Sequence, residues 1–204
     1  MENLYTYALT VFVGFFAIMN PIANTPIFLG LVEDRDQVTK KRIAKIASIT
    51  ALLIVASFVI AGKYIFDLFG ITIPAFKITG GILIFYVGFE MLMSQKSKVH
   101  STGNEGDDND IAISPLAIPI LAGPGTIVTA MNYVTNASFI HIGIVMAVFA
   151  LMIFLTYLSF ISSNLIVKKV GPDLIAVIGK LMGLILAIIG TDMAIEGIKL
   201  AFKL

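Results

Sequence analysis

The chain has 204 residues, 58% of them hydrophobic, and its mean hydropathy is +0.96. Ordinary soluble domains use roughly 45–50% apolar residues, so a water-soluble fold is excluded. A net charge of +1 supplies no basic field for nucleic acid, and the absence of cysteine rules out disulfides, thiolate metal sites and thiol catalysis.

A helix crossing a hydrocarbon core needs about 20 mostly apolar residues. Runs of that kind fall at Tyr7 to Leu31, Ile43 to Gly62, Ile71 to Met93, Ile111 to Val134, Ile142 to Ile166 and Leu174 to Gly197. The opening Met1-Glu2-Asn3 lacks a cationic n-region, and the first run is too long for a signal-peptide core, so it is expected to be retained as a helix. Within that run the NPIANTP stretch, Asn20 to Pro26, interrupts the apolar span. Ser94 to Asp110 is polar and without periodicity, which predicts a flexible linker with Asp107, Asp108 and Asp110 as a solvated tether. The fourth run is interrupted by LAGPG, Leu121 to Gly125.

The two halves resemble one another. At a shift of 102 residues Gly81 falls on Gly183, Gly88 on Gly190, Met91 on Met193 and Glu90 on Asp192, and at 103 Pro21 falls on Pro124. Loops one-two, three-four and five-six carry Arg35, Lys40, Lys41, Arg42, Lys45, Lys96, Lys98, Lys168 and Lys169, against Lys63, Lys199 and Lys203 on the other side. The positive-inside rule therefore places the charged loops in the cytoplasm and both termini outside it. Three helices per repeat is odd, so the second repeat enters from the opposite face. The expected fold is an all-α integral membrane protein forming one membrane domain. It has six transmembrane helices as two inverted-topology repeats, residues 1–93 and 111–204, joined by a cytoplasmic linker at 94–110, an architecture of secondary transporters.

Both breaks begin about a dozen residues into their runs, a depth of roughly 18 Å in a core roughly 30 Å thick. Asn20 before Pro21 has the order of an N-cap and an N1 proline, and Gly123 before Pro124 a weaker version of it. Each predicts a half-helix starting at mid-membrane, with free amides at Ile22, Ala23 and Asn24 and at Gly125, Thr126 and Ile127. Amide ends suit an anion, and the carbonyl ends near Ala17 to Met19 and Ile120 to Ala122 suit a cation, so the pair suits a small zwitterion. Asn20, Asn24, Thr25, Thr126 and Thr129 add neutral hydrogen-bonding groups, while Ala23, Gly123 and Gly125 leave modest space. The plainer account is a pair of proline kinks satisfied by their neighbours. Glycines 80, 81, 88, 179, 183 and 190 are expected at close helix packing.

Four charges lie inside spans: Lys77, Glu90, Lys180 and Asp192. Depth matches Glu90 with Lys180 and Lys77 with Asp192 as gating or coupling pairs. The alternative is that all four snorkel separately to the interface.

The NPIANTPIFLGL stretch (Asn20 to Leu31), the AGPGTIVT stretch (Ala122 to Thr129) and the six-helix layout around a polar linker together resemble the MarC family, also called UPF0056 or SnatA-like, in the wider group that includes lysine exporters. The resemblance covers essentially the whole chain. It implies a multi-pass protein of the plasma (inner) membrane that transports small neutral amino acids such as glycine and alanine through inverted repeats with discontinuous first helices. No cofactor is implied; as a coupling ion, sodium fits a midplane of asparagine, threonine and carbonyl oxygens, while a proton fits Glu90 or Asp192. No HExxH, GxSxG or histidine cluster is present, and His100 and His141 read as solvated, so an enzyme is not expected. A channel, or a membrane subunit that acts only with a partner, is the alternative.

Overall fold

The structure is a computed structural model that describes residues 4–93, 108–135 and 137–203. Most of the linker, Ser94 to Asp107 with His100, lies outside the described residues. Every regular element among the described residues is helical. Five helices are long and apolar enough to cross a membrane, six when the bent pair Asp108–Leu121 and Pro124–Val134 counts as one span.

Helix α1 (Leu4–Met19) gives way to α2 (Pro21–Leu31) across the single residue Asn20, and the two make one span, Leu4–Leu31. Helix α3 (Gln37–Phe69) starts before its apolar run because Asp36 accepts a hydrogen bond from the Thr39 amide at 3.0 Å, and it ends at Gly70 with φ 62°. Hydrogen bonds from Thr39 hold the exposed Asp36 carboxyl below its ordinary pKa. Helix α4 spans Ile73–Met93. The second half opens with a short α5 (Asp108–Ile111), so the last residues of the expected tether are helical, and Asp108 pairs with Arg35 at 3.1 Å.

The π-type segment Ala112–Leu121 follows, then α6 (Pro124–Val134) at 51° to it. The distortion here is wider than the LAGPG break suggested. Ser114 (φ −131°, ψ 121°) and Ile118 (φ −129°, ψ 124°) are extended, as is Gly123 (φ −68°, ψ 166°). Each precedes a proline, whose ring clashes with a helical residue before it. The expected fifth helix divides into α7 (Phe139–Ile161) and a short amphipathic α8 (Ser163–Val170) with Lys168 and Lys169 in its last turn. Proline at the first position starts α9 (Pro172–Phe202).

Packing arranges these helices around the two breaks. One core joins α1 and α2 to α3, the π-type segment, α6 and α7 through Phe15, Phe28, Ala47, Leu121, Ala130 and Phe149. A smaller one, Ala17, Ile84, Leu186 and Met193, ties α1 to the α4–α9 pair. The broken segments therefore lie between an α3–α7 scaffold and an α4–α9 scaffold. Ile60, Phe85, Phe154 and Ile188 are exposed on the outside, as side chains facing lipid would be.

Helices α4 and α9 make the most extensive contact in the molecule and run antiparallel. A Cβ on Gly81 would lie 2.5 Å from the Gly190 carbonyl oxygen, and one on Gly88 2.5 Å from that of Gly183. Moving each residue of the first pair by 102 positions yields the second pair. Ile84 and Leu186, fully buried and also 102 positions apart, lie midway. Of the six expected packing glycines, Gly80 packs chiefly against Val128 of α6, and Gly179 leaves the seam altogether: a Cβ there would meet only the Ala23 Cβ, at 3.7 Å, and the residue borders an open cleft.

Candidate functional site

Asn20 adopts φ 35°, ψ 69°. The proline that follows disfavours a right-handed helical conformation there, and asparagine is among the few residues that tolerate the left-handed region. Its side-chain Oδ1 accepts from the Ala23 amide at 3.2 Å, its carbonyl accepts from the Asn24 amide at 3.1 Å, and Asn24 Nδ2 donates to the Met19 carbonyl at 2.7 Å. Two of the three amides expected to be free in this turn are thus used locally, as is one of the carbonyls expected to suit a cation. What remains is Asn20 Nδ2. The residue is 2% exposed, and that nitrogen has no hydrogen-bond partner. A buried donor left unpaired costs about 1–3 kcal/mol, which a ligand accepting its hydrogen bond would recover.

A cleft of about 330 Å³ opens beside this turn. Its wall contains Asn20, Ala23, Asn24 and Lys180 from the sequence-derived candidates, on α2 and the early part of α9. Pro21, Ile22 and Thr25 belong to the same turn without lining the cleft, and Thr25 donates to the Pro21 carbonyl at 2.9 Å. The rest of the wall is apolar and includes Ile27, Met91, Ile175 and Gly179, which no local pattern marks as site residues.

The second break stands one layer behind. Ile120 reaches the cleft, while Gly125 packs behind Ile18 and Val87 of the wall, where a Cβ would lie 3.0 Å from Ile18 Cδ1. Gly123, Thr126 and Thr129 are buried away from the cleft and Pro124 is exposed. Thr129 Oγ1 has no partner, and the Ile127 amide donates to Gly123 O at 3.1 Å. Gly123 is a structural position: a Cβ there would collide with the Pro119 carbonyl oxygen.

The charges sort differently from their depth. Lys77, 8% exposed, pairs with Glu196 rather than with Asp192, which is one turn earlier and exposed. Glu90 accepts a hydrogen bond from Tyr86 at 3.1 Å and forms no ion pair with Lys180. Two residues after Gly88, Glu90 lies on the side of α4 turned away from α9, since positions i and i+2 do not share a helix face. Removing one member of a buried ion pair leaves the other charge stranded, but Glu196 is half exposed, which weakens the effect. Glu196→Gln is expected to cost about 1–2 kcal/mol, against near neutrality for Lys77→Met, which removes the buried charge itself. Thermal melting of the two variants in detergent checks that order.

At the opposite end of α1, Tyr7 donates to the Tyr133 carbonyl at 2.7 Å and Tyr133 to the Thr10 carbonyl at 3.3 Å. The Tyr133 hydroxyl fills the space where a Gly14 side chain would be. His141, expected to be solvated, is partly exposed; it meets Tyr7 edge-on with ring centroids 4.6 Å apart and lies 2.7 Å from Ser138 Oγ. These contacts tie the N-terminal end of α1 to α6 and to the start of α7.

The family model described as MarC family integral membrane protein matches residues 5–202. The chain belongs to the MarC family. Among MarC relatives, the UPF0056 membrane protein YvbG of Bacillus subtilis is 40% identical over 202 residues, covering 96% of each chain. A UPF0056 membrane protein of Pyrococcus abyssi is also 40% identical, over 99% of this chain and 98% of its own, and one of Buchnera aphidicola is 34% identical over 94% and 92%. No solved structure matches this MarC protein. Membership establishes a multi-pass integral membrane protein, and the chain spans nearly the full length of these relatives.

Proposed function

We propose that this MarC protein is a secondary transporter of small neutral amino acids, of the glycine and alanine class, working by alternating access between two inverted three-helix repeats in the plasma membrane. The observation that carries this reading is the cleft beside Asn20, a small space whose mostly apolar wall holds one buried unpaired donor, Asn20 Nδ2, together with Asn24 and Lys180. The α4–α9 seam supports the inverted repeats, because its two glycine contacts map onto each other when the halves are exchanged. A pseudo-two-fold axis between Ile84 and Leu186 would produce that pattern.

With the charged loops in the cytoplasm and both termini outside, Ala23, Asn24, Ile27 and Met91 follow the break toward the inner face, and the Tyr7–Tyr133 clasp lies outside. The cleft then faces inward and the outer path is shut. Buried Thr126 and Thr129 would line the opposite cleft when the repeats exchange conformations, which gives the unpaired Thr129 hydroxyl a role. A proton or sodium ion is the coupling ion in this reading, no cofactor takes part, and the protein catalyses no bond chemistry. Saturable binding separates a transporter from a channel or an accessory subunit. Thermal-shift screening of purified protein against the common amino acids should show glycine or alanine raising the melting temperature, since a ligand of the folded state stabilises it by mass action.

Size selection follows from Ala23. Its Cβ would lie 3.7 Å from one placed on Gly179 across the cleft, so leucine at position 23 would fill the space. Ala23→Leu is expected to reduce alanine binding at least about tenfold, the equivalent of 1.4 kcal/mol, with melting of the unliganded protein little changed. Gly123→Leu is not an equivalent probe, because its side chain would collide with backbone.

A further inference from the structure

We propose that Lys180 is the specificity-determining residue of the cleft, reading the carboxylate of the substrate. The proposal rests on the cleft being the amino acid site. Among the described residues Lys180 supplies the one charged side chain on the cleft wall, and no acidic group lines it. Among the described residues it makes no ion pair, whereas Lys77, its counterpart 103 positions earlier, is buried against Glu196. The preceding Gly179 keeps this stretch of α9 bare beside Ala23, so the lysine stem has room to swing its ammonium over the cleft.

Asn20 Nδ2, buried and unpaired, adds a second donor to the same wall. An ammonium and a neutral amide, with no carboxylate nearby, favour a ligand group that carries negative charge and accepts hydrogen bonds. Asn24 Oδ1 supplies an acceptor for a substrate ammonium, its Nδ2 being committed to Met19. A small α-amino acid presents both groups. A primary amine or amino amide of the same size presents only the cationic one and meets Lys180 as a like charge.

Alanine and alaninamide are the probes, titrated against the purified full chain by calorimetry. Wild type is expected to bind alanine at least tenfold more tightly than alaninamide. Lys180→Met should weaken alanine at least tenfold and leave alaninamide unchanged or improved, Lys180→Arg should keep alanine within about threefold, and Lys180→Glu should invert the preference. The side chain is exposed, and melting of each unliganded variant near the wild-type temperature confirms folding. Wild-type binding of alanine with undiminished affinity in Lys180→Met, or without inversion in Lys180→Glu, would overturn the role of Lys180 and leave the amino acid site standing. Failure of wild type to bind any small amino acid would overturn both.

Discussion

Gly88→Leu is expected to collapse both stability and transport. Helices α4 and α9 approach so closely at this point that even a Cβ would lie 2.5 Å from the Ala187 amide nitrogen and the Gly183 carbonyl oxygen. Backbone cannot step aside as a side chain can, so the two helices must separate along their length. Gly81, Gly183 and Gly190 then lose their contacts together. Overpacking of a well-filled interior costs about 1–3 kcal/mol and sometimes more; with backbone on both sides, about 3 kcal/mol or more is expected. Gly143→Ala is the matched control. Nothing lies within 4 Å of its Cβ position on α7, so helix propensity alone acts and favours alanine by up to about 1 kcal/mol. Melting temperatures in detergent should fall sharply for the first variant and hold or rise for the second.

The second large effect is expected at Asn20 and Pro21. Asn20→Gly keeps the left-handed conformation at no steric cost but deletes both the cap on Ala23 and the unpaired Nδ2. The protein should fold normally and bind alanine at least tenfold more weakly, since a hydrogen bond to a charged ligand group contributes about 1.5–3 kcal/mol. Asn20→Leu adds about 1–2 kcal/mol of strain, because a left-handed conformation brings Cβ against the following carbonyl. Pro21→Ala acts by the reverse route. It removes the clash that keeps residue 20 out of the helix, so α1 and α2 can merge, and the regained continuity replaces the site. Folded protein without alanine binding is the expected result for Asn20→Gly and Pro21→Ala, by melting and calorimetry together.

The six apolar spans and the break at Asn20 were legible because each is a local property: a run long enough to cross lipid, and an asparagine placed before a proline. The close glycines were legible for a similar reason, since only small residues let two membrane helices meet at backbone distance. The second break was only partly legible. Its signal is three X–Pro steps, at Ser114, Ile118 and Gly123, and the LAGPG stretch holds only the last of them. The partner of Lys77 was missed because depth fixes a position along the helix only to about a turn. Glu196 sits one turn beyond Asp192 on the same face of α9, within reach of the long lysine stem. Ile175, Gly179 and Met91 became cleft residues only through the tertiary meeting of α9 and α4 with α2, and nothing in their own neighbourhoods announces it.

The central claim is alternating access by a single small-amino-acid site, and counterflow tests it most directly. Proteoliposomes containing only this protein, loaded with excess unlabelled alanine and diluted into a trace of labelled alanine, should accumulate the label transiently above its external concentration. That overshoot should saturate and be lost in Asn20→Gly. Uptake of label that never exceeds equilibrium and does not saturate would mean an open pore, and no uptake at all would mean a protein that does not transport alanine by itself; either result contradicts the account.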